Sequence, residues 1–76
     1  MFGMTREQVK RYKEGYPSGT RVECLGMNDP DAITSGTRGT VQFVDDAGQI
    51  HVRWDNGRGL ALIPGEDSFR IVRDER

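Results

Sequence analysis

Gln49-Ile50-His51-Val52-Arg53-Trp54-Asp55-Asn56-Gly57 constrains this chain more than any other stretch. Ile50, Val52 and Trp54 recur at period two with His51 and Arg53 between them, so an extended segment here has one apolar and one charged face. A helix would scatter the same residues around its circumference. Asn56-Gly57 follows at once, and both residue types accept the positive φ angles that a tight hairpin needs. The stretch reads as a half-buried strand entering a turn, and the rest of the chain as its partners.

Those partners are short alternating runs punctuated by glycine. Thr20 to Leu25, Gly39 to Val44, Gln49 to Asp55, Gly59 to Ile63 and Phe69 to Val72 read as five strands. The connections differ in kind. Gly26 to Thr37 is long and carries the turn former Asn28-Asp29-Pro30-Asp31, whereas Asp45-Asp46-Ala47-Gly48 and Asn56-Gly57 are tight, and Pro64 to Ser68 suits one short 3₁₀ turn. A long first loop, two tight hairpins and one turn before a last short strand is the order of connections in SH3-like barrels. The expected core is Val22, Cys24, Val41, Phe43 or Val44, Ile50, Val52, Trp54, Leu60, Leu62, Ile63, Phe69 and Ile71.

Ahead of the strands, Thr5-Arg6-Glu7-Gln8 has the form of a capping box, with Met4 and Val9 as its hydrophobic staple. A helix is expected from about Arg6 to Glu14, ended by Gly15 and barred from continuing by Pro17. At about nine residues it is too short to be stable alone in water, so it must lie on the barrel. The chain divides into a helical extension over 1–15, an SH3-like barrel over 16–72 and a charged tail over 73–76 that is expected to fray. The fold class is mainly β: a five-stranded SH3-like barrel preceded by one short N-terminal α-helix.

Composition narrows the function. Seventy-six residues make one small domain. One cysteine cannot close an internal disulfide, and one cysteine with one histidine cannot assemble the usual zinc ligand set, so neither metal nor cofactor is expected and a reducing, cytoplasmic setting suits. The apolar run Leu60 to Pro64 is far below the roughly 20 residues of a membrane span, and Met1-Phe2-Gly3-Met4 lacks the form of a signal peptide. Neither membrane nor export is expected. The formal charge is -1, which gives no general attraction to polyanions, yet only Lys10 and Lys13 among the eleven basic residues are lysines.

Gly19-Thr20-Arg21-Val22, Gly36-Thr37-Arg38-Gly39-Thr40-Val41, Asp45 through Gly57, and Leu60-Ala61-Leu62-Ile63-Pro64-Gly65 with Asp67-Ser68-Phe69 together resemble a family of short bacterial and phage proteins known only as a domain of unknown function. The resemblance spans about residues 16–72. It implies a small SH3-like domain, often encoded on plasmids, phages or conjugative elements, with no assigned activity and no binding residues to carry over. The glycine-threonine segment followed by a strand ending Trp54-Asp55-Asn56-Gly57 is more loosely similar to KOW-type, Tudor-type and mind-bomb-type SH3-like domains, which bind nucleic acid, ribosomal partners or protein tails. A Tudor-type cage needs three or four converging aromatics. Phe43, Trp54 and Phe69 are the only ones on the expected strands, all expected inside.

Individual residues give little chemistry. Trp54 is in phase with Ile50 and Val52 and belongs in the core, its indole N–H needing a partner. His51 lacks a second ligand or a nucleophile to orient and reads as a surface histidine. Cys24 alternates inward with Val22 and reads as a small buried hydrophobe. The acidic pairs in the loops lack the alternate-position spacing of a calcium loop and are turn chemistry. Arg21, Arg38, His51, Arg53 and Arg58 are the candidate binding face, with Glu23 and Asp55 close enough to neutralise part of it. Met4, Val9 and Tyr12, with Met1 and Phe2, are a second candidate surface for docking a partner or another copy. No catalytic motif occurs. The expected function is a non-enzymatic binding module acting by protein–protein contacts, and the alternative is KOW-like nucleic-acid binding through the arginines.

Overall fold

A computed structural model of the chain describes residues 3–73. Met1, Phe2 and the last part of the charged tail, 74–76, lie outside the described residues. The chain is mainly β, with elements in the order α1 (Arg6–Gly15), β1 (Arg21–Gly26), β2 (Arg38–Val44), β3 (Ile50–Trp54) and β4 (Ser68–Ile71). The strands form one antiparallel sheet ordered β3-β2-β1-β4.

The expected capping box forms. Thr5 Oγ1 accepts from Gln8 N at 3.1 Å and Gln8 Oε1 accepts from Thr5 N at 2.9 Å, which satisfies two orphan donors at once. The helix rests on the β2–β3 hairpin through buried Val9 and through Met4, whose Sδ occupies the space above Gly48 that any Cβ there would need. Lys13 Nζ reaches Asp46 Oδ1 at 2.7 Å. At the helix end Tyr12 stacks on Tyr16, and Tyr16 meets Phe69 of β4 edge-on, both at 5.8 Å between ring centres.

The core consists of Val22, Cys24, Ile33, Val41, Val44, Ile50, Val52, Trp54 and Leu62, with Leu60 and Phe69 half-buried against it. Ile63 and Ile71 are also only half-buried. Ile33 was not expected, since it lies in the long loop. It is drawn in because the loop folds back on β1: Gly36 N donates to the Cys24 carbonyl at 2.7 Å, and Cys24 Sγ to the Ile33 carbonyl at 3.5 Å.

The choice between Phe43 and Val44 is made by a β-bulge. Val41 pairs with Val52, but Phe43, not Gln42, pairs with His51, so β2 carries one extra residue there and its alternation flips. Val44 goes inside at 8% exposure and Phe43 outside at 53%. Gly39 pairs with Trp54, and a Cβ on it would lie 2.6 Å from Val52 Cγ1 and 2.8 Å from Trp54 Cε3. The backbone is bare there so that the tryptophan can lie against it.

The expected fourth strand, Gly59 to Ile63, is not a strand, and closure into a five-stranded barrel is not made by strand pairing. The segment meets β3 at two isolated bridges, Arg53 with Gly59 and Ile50 with Leu62, and between them through Leu60 N alone, which donates to the Val52 carbonyl at 3.3 Å. The physical cause lies between them. The Leu60 carbonyl, which a regular ladder would offer to the Val52 amide, accepts the Trp54 indole N–H at 2.9 Å. The turn before it also differs from expectation: Gly57 alone has positive φ, and Gly57 N donates to Trp54 O at 2.9 Å. This is a turn closed by a glycine bulge rather than one with two left-handed residues. Residues 64–67 form hydrogen-bonded turns on the Ile63 carbonyl instead of a 3₁₀ helix.

Candidate functional site

The arginines of the sheet divide into two groups. Arg21 projects from β1 on the face shared with its pair partner Thr40, donating to Thr40 Oγ1 at 3.1 Å and bidentately to Asp55 at 2.8 and 2.7 Å. The hydrogen bonds from Arg21 hold the Asp55 carboxyl below its usual range. Arg38 and Arg70 converge on Glu23 at 3.4 and 2.7 Å, from the strands on either side of β1. Glu23 is central in the sheet and its side chain is only 17% exposed, so it draws both guanidiniums inward. These three arginines are therefore spent on carboxylates.

Arg53 and Arg58 are not. Among the described residues neither has a salt bridge. Arg58 Nη2 donates to the Asp31 carbonyl at 2.7 Å, which ties the end of the β3 hairpin to the long first loop without neutralising the charge. Both side chains line an open groove of about 540 Å³ between the outer face of the β2–β3 hairpin and the segment that follows it. Phe43, His51, Leu60 and Ala61 are among its other lining residues. The candidate face is thus split: the structure brings His51, Arg53 and Arg58 together and places Arg21 and Arg38 in ion pairs elsewhere on the sheet.

Phe43 and His51 form the groove's aromatic end. Their rings stack at 4.3 Å with only 10° between planes. His51 Nε2 is 2.9 Å from Asp45 Oδ2, while Asp45 Oδ1 accepts from the amides of Ala47 and Gln49 at 3.0 and 2.9 Å. Partial burial pushes the Asp45 carboxyl up, but hydrogen bonds from His51, Gln49 and Ala47 outweigh it and the net shift is downward. One aspartate therefore shapes the β2–β3 turn and fixes the imidazole plane beneath Phe43.

The sequence pattern of the family described as Domain of unknown function (DUF4314) matches residues 5–72. The chain belongs to this DUF4314 family. No curated protein matches it. In this DUF4314 domain the match takes in α1 and every strand, so the helix is part of the family's pattern and not an appendage to it.

The helix candidates face inward. Val9 is buried on the hairpin, Met4 is half-buried over Gly48, and Tyr12 is half-buried in the row with Tyr16 and Phe69. Burial, with Tyr12 as the lesser cause, raises the Tyr16 phenol. Burial likewise pushes the Cys24 thiol up, which keeps it protonated and unreactive. No group of three or more His, Cys, Asp or Glu side chains suited to a metal occurs among the described residues. No helix among them is long and apolar enough to cross a membrane.

Two residues of the site were missed from sequence. Phe43 was expected inside, and the available signal was the run Val41-Gln42-Phe43-Val44, which breaks strict alternation and so announces a bulge. Asp45 as partner of His51 was legible from the hairpin itself, because a four-residue loop over 45–48 sets position 45 beside the start of the next strand.

Proposed function

We propose that this domain is a small non-enzymatic binding module of SH3-like type, acting by protein–protein contacts through the outer face of its β2–β3 hairpin. The observation that carries the reading is the exposed Phe43, held flat on His51 at the wall of a groove. Exposed aromatics fixed by their neighbours lose little entropy on binding and are the usual anchors of interfaces. The long first loop belongs to the same surface through the Arg58–Asp31 contact. The SH3-like reading draws on the segment 59–62, which keeps one register along β3 although its ladder is incomplete. A cytoplasmic setting, in a bacterium, phage or mobile element, is part of the same reading; the resemblance supports the source, and a single cysteine without an internal partner suits a reducing compartment.

The test is capture from a host lysate with the wild-type domain and with Phe43→Ser. A protein retained by the wild type and lost with the variant supports the reading, and recovery of nucleic acid alone overturns it. The alternative, KOW-like binding of nucleic acid, is favoured by the same Phe43–His51 stack, which suits a base. The pairing of Arg21 and Arg38 with carboxylates counts against it. Gel-shift titration at two salt concentrations separates the readings, since each phosphate contacted on duplex DNA adds roughly -0.9 to the log–log slope.

A further inference from the structure

We propose that the groove takes an extended acidic segment of a protein partner, seating an apolar side chain against Phe43 and Leu60 and a carboxylate, two residues along, on Arg53 and Arg58. This rests on the protein-contact reading above and adds the partner's chemistry to it.

Arg21, Arg38, Arg70 and Lys13 each hold a carboxylate, and of the described cations that hold none, Arg53 and Arg58 are the two that share this groove, the others being Arg6, Lys10 and Arg11 on the helix and Arg73 near the chain's end. An arginine presents five donors, and one of Arg58's is occupied by a neutral carbonyl, so the groove offers two guanidiniums with donors unspent. A carboxylate is the group that matches a guanidinium fork in both charge and shape.

The spacing argument follows from β3. His51, under Phe43, and Arg53 are two residues apart on the same strand face, so the aromatic and basic ends of the groove are separated by roughly 6.6 Å. An extended peptide repeats its own side chains on one face at the same interval. An apolar residue and an acidic one at i and i+2 therefore meet both ends together. The backbone edges of β3 are engaged by β2 on one side and by the segment 58–62 on the other, so the occupant lies on the face and does not add as a strand.

The experiment pans a phage-displayed library of random short peptides against the full chain, then measures the enriched sequences against Phe43→Ser, Arg53→Gln and Arg58→Gln. All three positions are exposed, so a retained cooperative unfolding transition verifies that each variant is folded. Enrichment of Asp or Glu two residues from an aliphatic or aromatic residue is expected. Binding should weaken about fivefold with each arginine variant and tenfold or more with Phe43→Ser. Enriched peptides that need Phe43 but carry no acid overturn this inference and leave the protein-binding reading standing. No enrichment, with labelled oligouridine bound in a salt-dependent way through Phe43, overturns both. Self-association through the groove, seen as concentration-dependent sedimentation lost in Phe43→Ser without peptide enrichment, also overturns the inference.

Discussion

Gly39 is where the fold has least latitude. Its Cβ would meet two side chains and the Arg53 carbonyl, all within 2.9 Å, and the backbone atom cannot give way. Gly39→Ala should cost about 1–3 kcal/mol through overpacking, read as a lowered denaturation midpoint with an unchanged slope. Phe43→Ser, four residues on, should cost less, about 0.5–1.5 kcal/mol, because the ring is half in water and gives up chiefly its stack on His51. Asp45 and Asp55 carry the acid response. Both carboxyls lie below their ordinary value of 3.8 in the folded chain. A carboxylate lowered by folding stabilises the fold above its unfolded value, and that contribution is lost as pH falls through the folded one. Stability should therefore fall as the pH drops below about 4, and Asp55→Asn or Asp45→Asn should each flatten the melting temperature against pH in that window. An unchanged slope in both variants would show that neither pair couples to folding.

Among the elements, the long first loop behaves as part of the core. Ile33 is buried to the same degree as strand residues, so Ile33→Ala should cost about 2–5 kcal/mol, as for a core strand position and unlike a loop. Denaturant titration distinguishes the two. The helix is held by less: one buried valine, Met4 over Gly48, half-buried Tyr12 in its row with Tyr16 and Phe69, and the exposed Lys13–Asp46 pair, which contributes about 0–1 kcal/mol. Thr5→Ala removes one half of the capping box and should cost about 0.5–2 kcal/mol, with amide exchange rising in α1 before the sheet. Uniform loss of protection across sheet and helix would mean that the two unfold as one unit.

For the molecule as a whole, size sets the scale. A chain of 76 residues has about 4–11 kcal/mol of stability at roughly 0.05–0.15 kcal/mol per residue, so either core substitution above takes a large share of it. Much of this architecture was legible in the letters. Strict alternation marked β3 and its buried face, Thr5 and Gln8 announced the cap, and glycine placed the turns, because each of these signals is local and recurs at the period of the backbone itself. That Glu23 and Asp55 neutralise part of the arginine face was legible too, but which guanidiniums they take was not, since that depends on strands far apart in sequence. Glu23 takes Arg38 and Arg70 only because β1 lies between β2 and β4. Sequence alone thus determined a small, mainly β chain with a buried Trp54 and a charged opposite face. Tertiary structure decided that one bulged residue turns Phe43 to solvent, that the Trp54 indole takes the Leu60 carbonyl from the ladder, and that Arg53 and Arg58 are left with charge to spare. Each of those outcomes depends on the register and partners that neighbouring segments offer, and it is settled only when the sheet brings them together.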